Sequence, residues 1–105
     1  MLNSNLTIET SGIFSKYGNI VVVALDGLFG DELPASIPDG FRPKVATRII
    51  VMGYSQLSDG RFIGSIQCTP SGGLDGSLIT YYGQTDIEDV RQSKFGLYGS
   101  AAWLV

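Results

Sequence analysis

Apolar residues along this chain recur mostly at every second position, in short runs broken by glycine, proline or asparagine. "LTIET" sets Leu6 and Ile8 one polar residue apart, and "GIFSKYG" follows before Gly18-Asn19, a pair suited to a tight turn. "NIVVVAL", residues 19 to 25, is β-branched through its centre and predicts a strand covered on both faces. "VATRIIVMGY", residues 45 to 54, and "RFIGSIQC" flank Asp59-Gly60, a strong hairpin signal. The second of these alternates cleanly, with Phe62, Gly64, Ile66 and Cys68 on one face and Arg61, Ile63, Ser65 and Gln67 on the other. "TPSGGLDGS" marks a further turn before "SLITYYG". "FGLYGSAAWLV" closes the chain, with Phe95, Leu97, Gly99, Ala101 and Trp103 on one side.

Two segments break the alternation. Residues 26 to 43 contain Pro34, Pro38 and Pro43, which forbid a central strand; a long ordered loop is expected there, anchored by Leu28, Phe29, Leu33, Ile37 and Phe41. Residues 84 to 94, "QTDIEDVRQSK", are polar and charge-rich, and a loop is expected over a short helical turn. No repeat of 20 to 50 residues is visible, which excludes a solenoid or propeller. The pattern predicts an all-β, single-domain antiparallel sandwich or Greek-key barrel of seven or eight strands.

Composition narrows the chemistry. A chain of 105 residues is one domain's worth of protein, and 44% hydrophobic residues suffice for a core without disulfides. Charged residues make up 16%, well under the usual ~25%, so much of the surface is small and polar or is covered by another chain. The net charge of −3, with basic residues scattered singly, argues against nucleic acid as a partner. No apolar run reaches the ~20 residues of a membrane span, and no signal-peptide pattern is present. With no histidine and a single cysteine, Cys68, the chain lacks Ser-His or Cys-His catalysis, His-ligated zinc and an internal disulfide. "DGLFGDE" and "SGGLDG" lack the oxygen-ligand spacing of a calcium loop, so neither metal nor cofactor is expected.

The order of several motifs resembles a known family. "GNIVVVALDG", "LPASIPDGFRPKVATRIIV", "GRFIGSIQCTPSGGL" and "LYGSAAWLV" together resemble the C-terminal head domains of receptor-binding proteins, found at the tail-fibre and baseplate tips of siphophages that infect Gram-positive, lactic acid bacteria. The loop matches through Ile37, Pro38, Gly40, Phe41, Arg42 and Pro43; the end departs in placing Ala101-Ala102 before Trp103, where the family pattern is like "GSWI". The resemblance covers residues 12 to 105 and leaves 1 to 11 as a neck remnant or a start. It implies a homotrimeric β head on the virion tail tip that binds a host cell-surface polysaccharide and catalyses nothing, with other tail or baseplate proteins as neighbours. In such a trimer the apolar ending around Trp103 is sealed by neighbouring chains. Two alternatives are a purely structural trimeric module and a cell-wall polysaccharide hydrolase using Glu88 with Asp86 or Asp89.

Saccharide sites combine an aromatic face with short polar side chains that pair with hydroxyls. The polar candidates are Asp59, Arg61, Gln84, Asp86, Asp89 and Arg91, with Gln67 and Asp75 beside them. Among these the 86 to 91 segment is favoured, because polar loops on a rigid β scaffold often carry recognition. Tyr81 and Tyr82 are adjacent and point to opposite strand faces, so one is core and the other a stacking platform. Trp103 is a platform or, more simply, a packing residue, and Cys68 reads as a buried small hydrophobe.

Overall fold

The computed structural model describes residues 7–55, 60–80 and 83–105. In chain order the strands are β1 (Ile8–Ser11), β2 (Phe14–Tyr17), β3 (Ile20–Phe29), β4 (Thr47–Ser55), β5 (Gly60–Cys68), β6 (Leu74–Thr80), β7 (Gly83–Asp86) and β8 (Gly96–Leu104). A 3-10 turn (Gly30–Glu32) follows β3, and one helix, α1 (Ile87–Arg91), precedes β8. All pairings are antiparallel, in the order β1-β2-β3-β8-β4-β5-β6-β7. Two meanders, β1–β3 and β4–β7, are thus joined through the last strand of the chain. The segment expected as a neck supplies the edge strand from Ile8 onward.

The expectation of an all-β antiparallel domain of seven or eight strands holds, but in place of a sandwich or Greek-key barrel the strands form one open sheet of eight, with β1 and β7 as its edges among the described residues. The missing second layer is supplied by coil. Residues 30 to 46 cannot enter a sheet interior because of their prolines, so they lie across one face as a roof. The resulting plate measures 51 × 26 × 17 Å, and its radius of gyration of 14.7 Å exceeds the ~13 Å of a compact domain this size.

Apolar anchors fasten the roof: Leu33, Ile37, Phe41 and Pro43 are buried, Leu28 half so, and Phe29 stays exposed. Backbone bonds do the rest, from Ile37 N to Gly72 O (2.8 Å), Lys44 N to Leu104 O (3.1 Å) and Gly30 N to Phe95 O (2.9 Å). Beneath the roof lie Phe14, Val21, Val23, Ile49, Val51, Ile66, Leu78 and Leu97, each contributing about 1.5–3 kcal/mol by leaving water. Phe62 lies over Gly53, where a Cβ would stand 2.0 Å from its ring, and packs on Phe95 at 5.1 Å between centroids.

Three local expectations change. β3 runs past residue 25 to Phe29 through a bulge between Asp26 and Leu28, where Gly27 adopts φ 77°. Its Val21, Val23 and Leu25 are buried, while Ile20 and Ala24 are exposed and Val22 is half-buried, so the strand is covered on one face only. Residues 84 to 94 are not a loop: they begin in β7 and continue as α1, whose Ile87 and Val90, three apart, share the buried side. The β5–β6 turn is confined to residues 69 to 73, closed by Gly72 N to Thr69 O (2.9 Å) and Thr69 N to Gly73 O (3.0 Å), so β6 begins at Leu74.

The apolar ending also finds its place. β8 lies between β3 and β4 in the middle of the sheet. Trp103 is 6% exposed, lies 6.2 Å from Phe14 between ring centroids, and donates its indole N–H to Phe41 O at 2.7 Å. Its own chain seals it.

Candidate functional site: the open face of the sheet

One sheet face is roofed; the other carries side chains in rows fixed by strand register. Nearest the β4–β5 hairpin, the row runs Tyr98, Met52, Ile63, Ile79 and Gln84 across five strands. The next reads Ser100, Ile50, Ser65, Ser77 and Asp86. The third aligns Arg48, Gln67 and Asp75. Neighbouring strands stand about 4.8 Å apart and same-face residues about 7 Å apart along a strand. Apolar side chains therefore fill the hairpin end, and a polar corner forms where β4, β5 and β6 reach the other end.

The apolar end is exposed: Met52 at 60%, Ile79 at 60%, Ile50 at 59%, Ile63 at 55% and Tyr98 at 46%. In the polar corner Arg48 Nη1 donates to Ser65 Oγ at 3.0 Å, and Asp75 Oδ1 accepts from Gly76 N at 2.8 Å. Ser65 and Ser77 are directly opposite one another. Arginine and glutamine donors, carboxylate and amide acceptors and two hydroxyls thus share one rigid surface.

The expected site residues scatter. Arg61, Gln84 and Asp86 lie on the open face, Arg61 beside the apolar rows and the other two on the edge strand β7. Asp86 is partly committed, since its Oδ1 accepts from Asp89 N at 3.0 Å and caps α1. Asp89 is exposed on that helix. Arg91 turns the other way: its guanidinium donates to the carbonyls of Leu33 (3.3 Å), Pro34 and Leu74 (3.5 Å), tying α1 to the roof and to β6. Trp103 is buried, so no sugar ring reaches its face. Asp59, Tyr81 and Tyr82 lie outside the described residues. Arg48, Ser65 and Ser77 escaped sequence reasoning; the alternation of 61 to 68 already put Ser65 and Gln67 on one side, but only the register sets Arg48 and Asp75 next to them.

The remaining chemistry is sparse. Burial pushes the Cys68 thiol up to about 11, which leaves it protonated and a poor nucleophile at neutral pH. Lys94 is raised by its hydrogen bond and charge pairing with Asp31, an exposed ion pair that contributes little to stability. Among the described residues, no three His, Cys, Asp or Glu side chains gather to hold a metal, and every buried side-chain nitrogen or oxygen has a partner. A notch of about 140 Å³ beside Ser11, Phe14 and Glu32, and an open hollow of about 280 Å³ beside Lys44 and Val45, fall short of the ~300–1,000 Å³ of small-ligand pockets. Set against protein-family models, curated proteins and solved structures, the chain matches none.

Proposed function

We propose that this chain is a non-enzymatic receptor-binding head from a phage tail tip, which recognises a host cell-surface saccharide and works as a homotrimer among other tail or baseplate proteins. The motif series ending in "GFRP" and "LYGSAAWLV" supports the family reading. The observation that carries the site is the polar corner Arg48–Gln67–Asp75 with Ser65 and Ser77, held on a sheet rather than in a pocket. A surface of this kind suits a polymer that lies across it. Arg48 donates to ring or hydroxyl oxygens, Gln67 both donates and accepts, and Asp75 accepts from hydroxyls. One such site binds weakly, and several per virion tip multiply the attachment.

The test is binding of the fluorescently labelled chain to a panel of Gram-positive cells, and to the polysaccharide extracted from their walls. The Arg48→Ala/Gln67→Ala variant is expected to lose binding by tenfold or more with an unchanged circular dichroism melt, because both side chains lie on the open face. Undiminished binding by that variant removes the polar corner; no binding by the wild type removes saccharide recognition. Release of oligosaccharide from the wall would move the assignment to a hydrolase. A structural tail module is the second reading, favoured by the apolar rows, and it predicts that neither form binds cells.

A further inference from the structure

We infer that the β3–β8 end of the open face is a stacking subsite for sugar rings, with Tyr98 and Phe29 as its platform and Asp26 as its hydroxyl acceptor. It rests on the saccharide reading above and extends the ligand beyond the polar corner. The bulge in β3 builds it. Asp26 pairs with Tyr98 and Phe29 with Gly96, so the extra residue between them brings Asp26 and Phe29, three positions apart, onto the same open face. In a regular strand their side chains would point to opposite sides. Gly27, inside the bulge, adopts φ 77° and leaves room for its neighbour: a Cβ there would stand 3.3 Å from the Tyr98 hydroxyl oxygen and 3.6 Å from Cζ. The phenol end of Tyr98 thus rests over bare backbone. Bulges re-aim side chains in this way and concentrate next to functional sites.

Both rings are open to a ligand. Tyr98 is 46% exposed and Phe29 44%, whereas Phe14, Phe41, Phe62 and Trp103 are buried. Diagonal neighbours on one sheet face stand about 7–8 Å apart, close enough for linked sugar rings to lie across both. Two charges flank the platform: exposed Asp26 beside Tyr98, and Lys94, whose Nζ lies 5.7 Å from the Phe29 ring centroid while it pairs with Asp31. This mixture selects the occupant. A pyranose has a C–H face to lay on an aromatic ring and hydroxyls at its edge, which donate to Asp26 and accept from Lys94. An apolar protein surface would strip water from both charges without replacing it. Met52, opposite Tyr98, is four residues from Arg48 along β4, about 14 Å at ~3.4 Å per residue. A single sugar does not reach from the platform to the polar corner. The ligand that fills both is an oligosaccharide of several units.

Isothermal titration of the full chain with extracted wall polysaccharide, and with its size-fractionated fragments, tests this. Wild-type affinity is expected to rise with fragment length. Tyr98→Thr, which keeps a β-branched residue in the strand, is expected to flatten that rise and to bind the polymer about tenfold more weakly. Tyr98→Phe, which keeps the ring, is expected to bind like the wild type. Asp26→Ala, at an exposed position, is expected to weaken binding several-fold and covers the case in which the threonine variant fails to fold. A folded Tyr98→Thr or Asp26→Ala that binds the polymer as the wild type does overturns the subsite and leaves the polar corner standing. A wild type that binds no polysaccharide removes saccharide recognition as a whole, and the subsite with it. Tyr98-dependent binding to cells that protease treatment of those cells abolishes, with none to the extracted polysaccharide, puts a protein on the platform and also overturns the inference.

Discussion

The two faces of this sheet are built from similar residues and do different work. On the roofed face Val21, Val23, Ile49, Val51, Ile66 and Leu78 are each 2% exposed or less. On the open face Ile50 and Met52 of β4, Ile63 of β5 and Ile79 of β6 are 55% exposed or more. Strand geometry alone makes this division, because successive side chains point to opposite sides. The residues that decide which side is inside are elsewhere, in the proline-rich roof and α1. Hydrophobicity at a strand position thus does not by itself report whether the rest of the chain covers it.

The comparison breaks most sharply at Trp103. Trp103→Ala removes a buried ring and the bond to Phe41 O, with an expected loss of about 3–5 kcal/mol. Trp103→Phe should recover most of it, and urea unfolding at a single protein concentration measures both. If Trp103→Ala unfolds like the wild type, the roof does not close the core as described. Arg91→Ala comes next: three roof and strand carbonyls lose a charged donor, and about 2 kcal/mol is expected from the same measurement. Its neighbour Asp86 is a helix cap, and Asp86→Ala should cost about 1 kcal/mol. Retained cell binding in this variant would separate capping from recognition.

On the open face the single substitution Ile79→Thr should change the stability of the chain at high dilution by no more than about 0.5 kcal/mol. A larger loss at high dilution would mean that this face is covered within one chain after all. The smallest effect at neutral pH belongs to Cys68. Its thiol is raised in the folded chain, from 9.0 to about 11, so its contribution to stability is complete below pH 9 and is lost as pH rises toward 11. At pH 8 a thiol reagent should leave the native chain unmodified and react once with the unfolded chain. Rapid labelling of the folded form would place Cys68 outside the core.

Much of the strand content was legible. Alternation in 61 to 68 assigned both faces of β5 correctly, and the prolines kept residues 30 to 43 out of the sheet, although 26 to 29, expected in the same loop, belong to β3. The site was far less legible. Arg91 looked like a ligand residue because charge in a polar segment resembles recognition, yet its guanidinium serves carbonyls 57 and 58 positions away in the chain. Arg48, Gln67 and Asp75 belong to three strands, and nothing local to any one of them announces the others.

What the sequence determined by itself is what depends on neighbours along the chain: the period of two, the glycine and proline breaks, the β-branched runs, and the absence of histidine chemistry. Tertiary structure alone decided that the last strand lies centrally, that one coil roofs one face, and that the polar corner stands beside an apolar surface. These depend on pairings between residues far apart in the chain, as in β3 with β8, whose Ile20 meets Leu104. A strand's alternation defines its two sides, but only the packing of distant segments gives either side a cover.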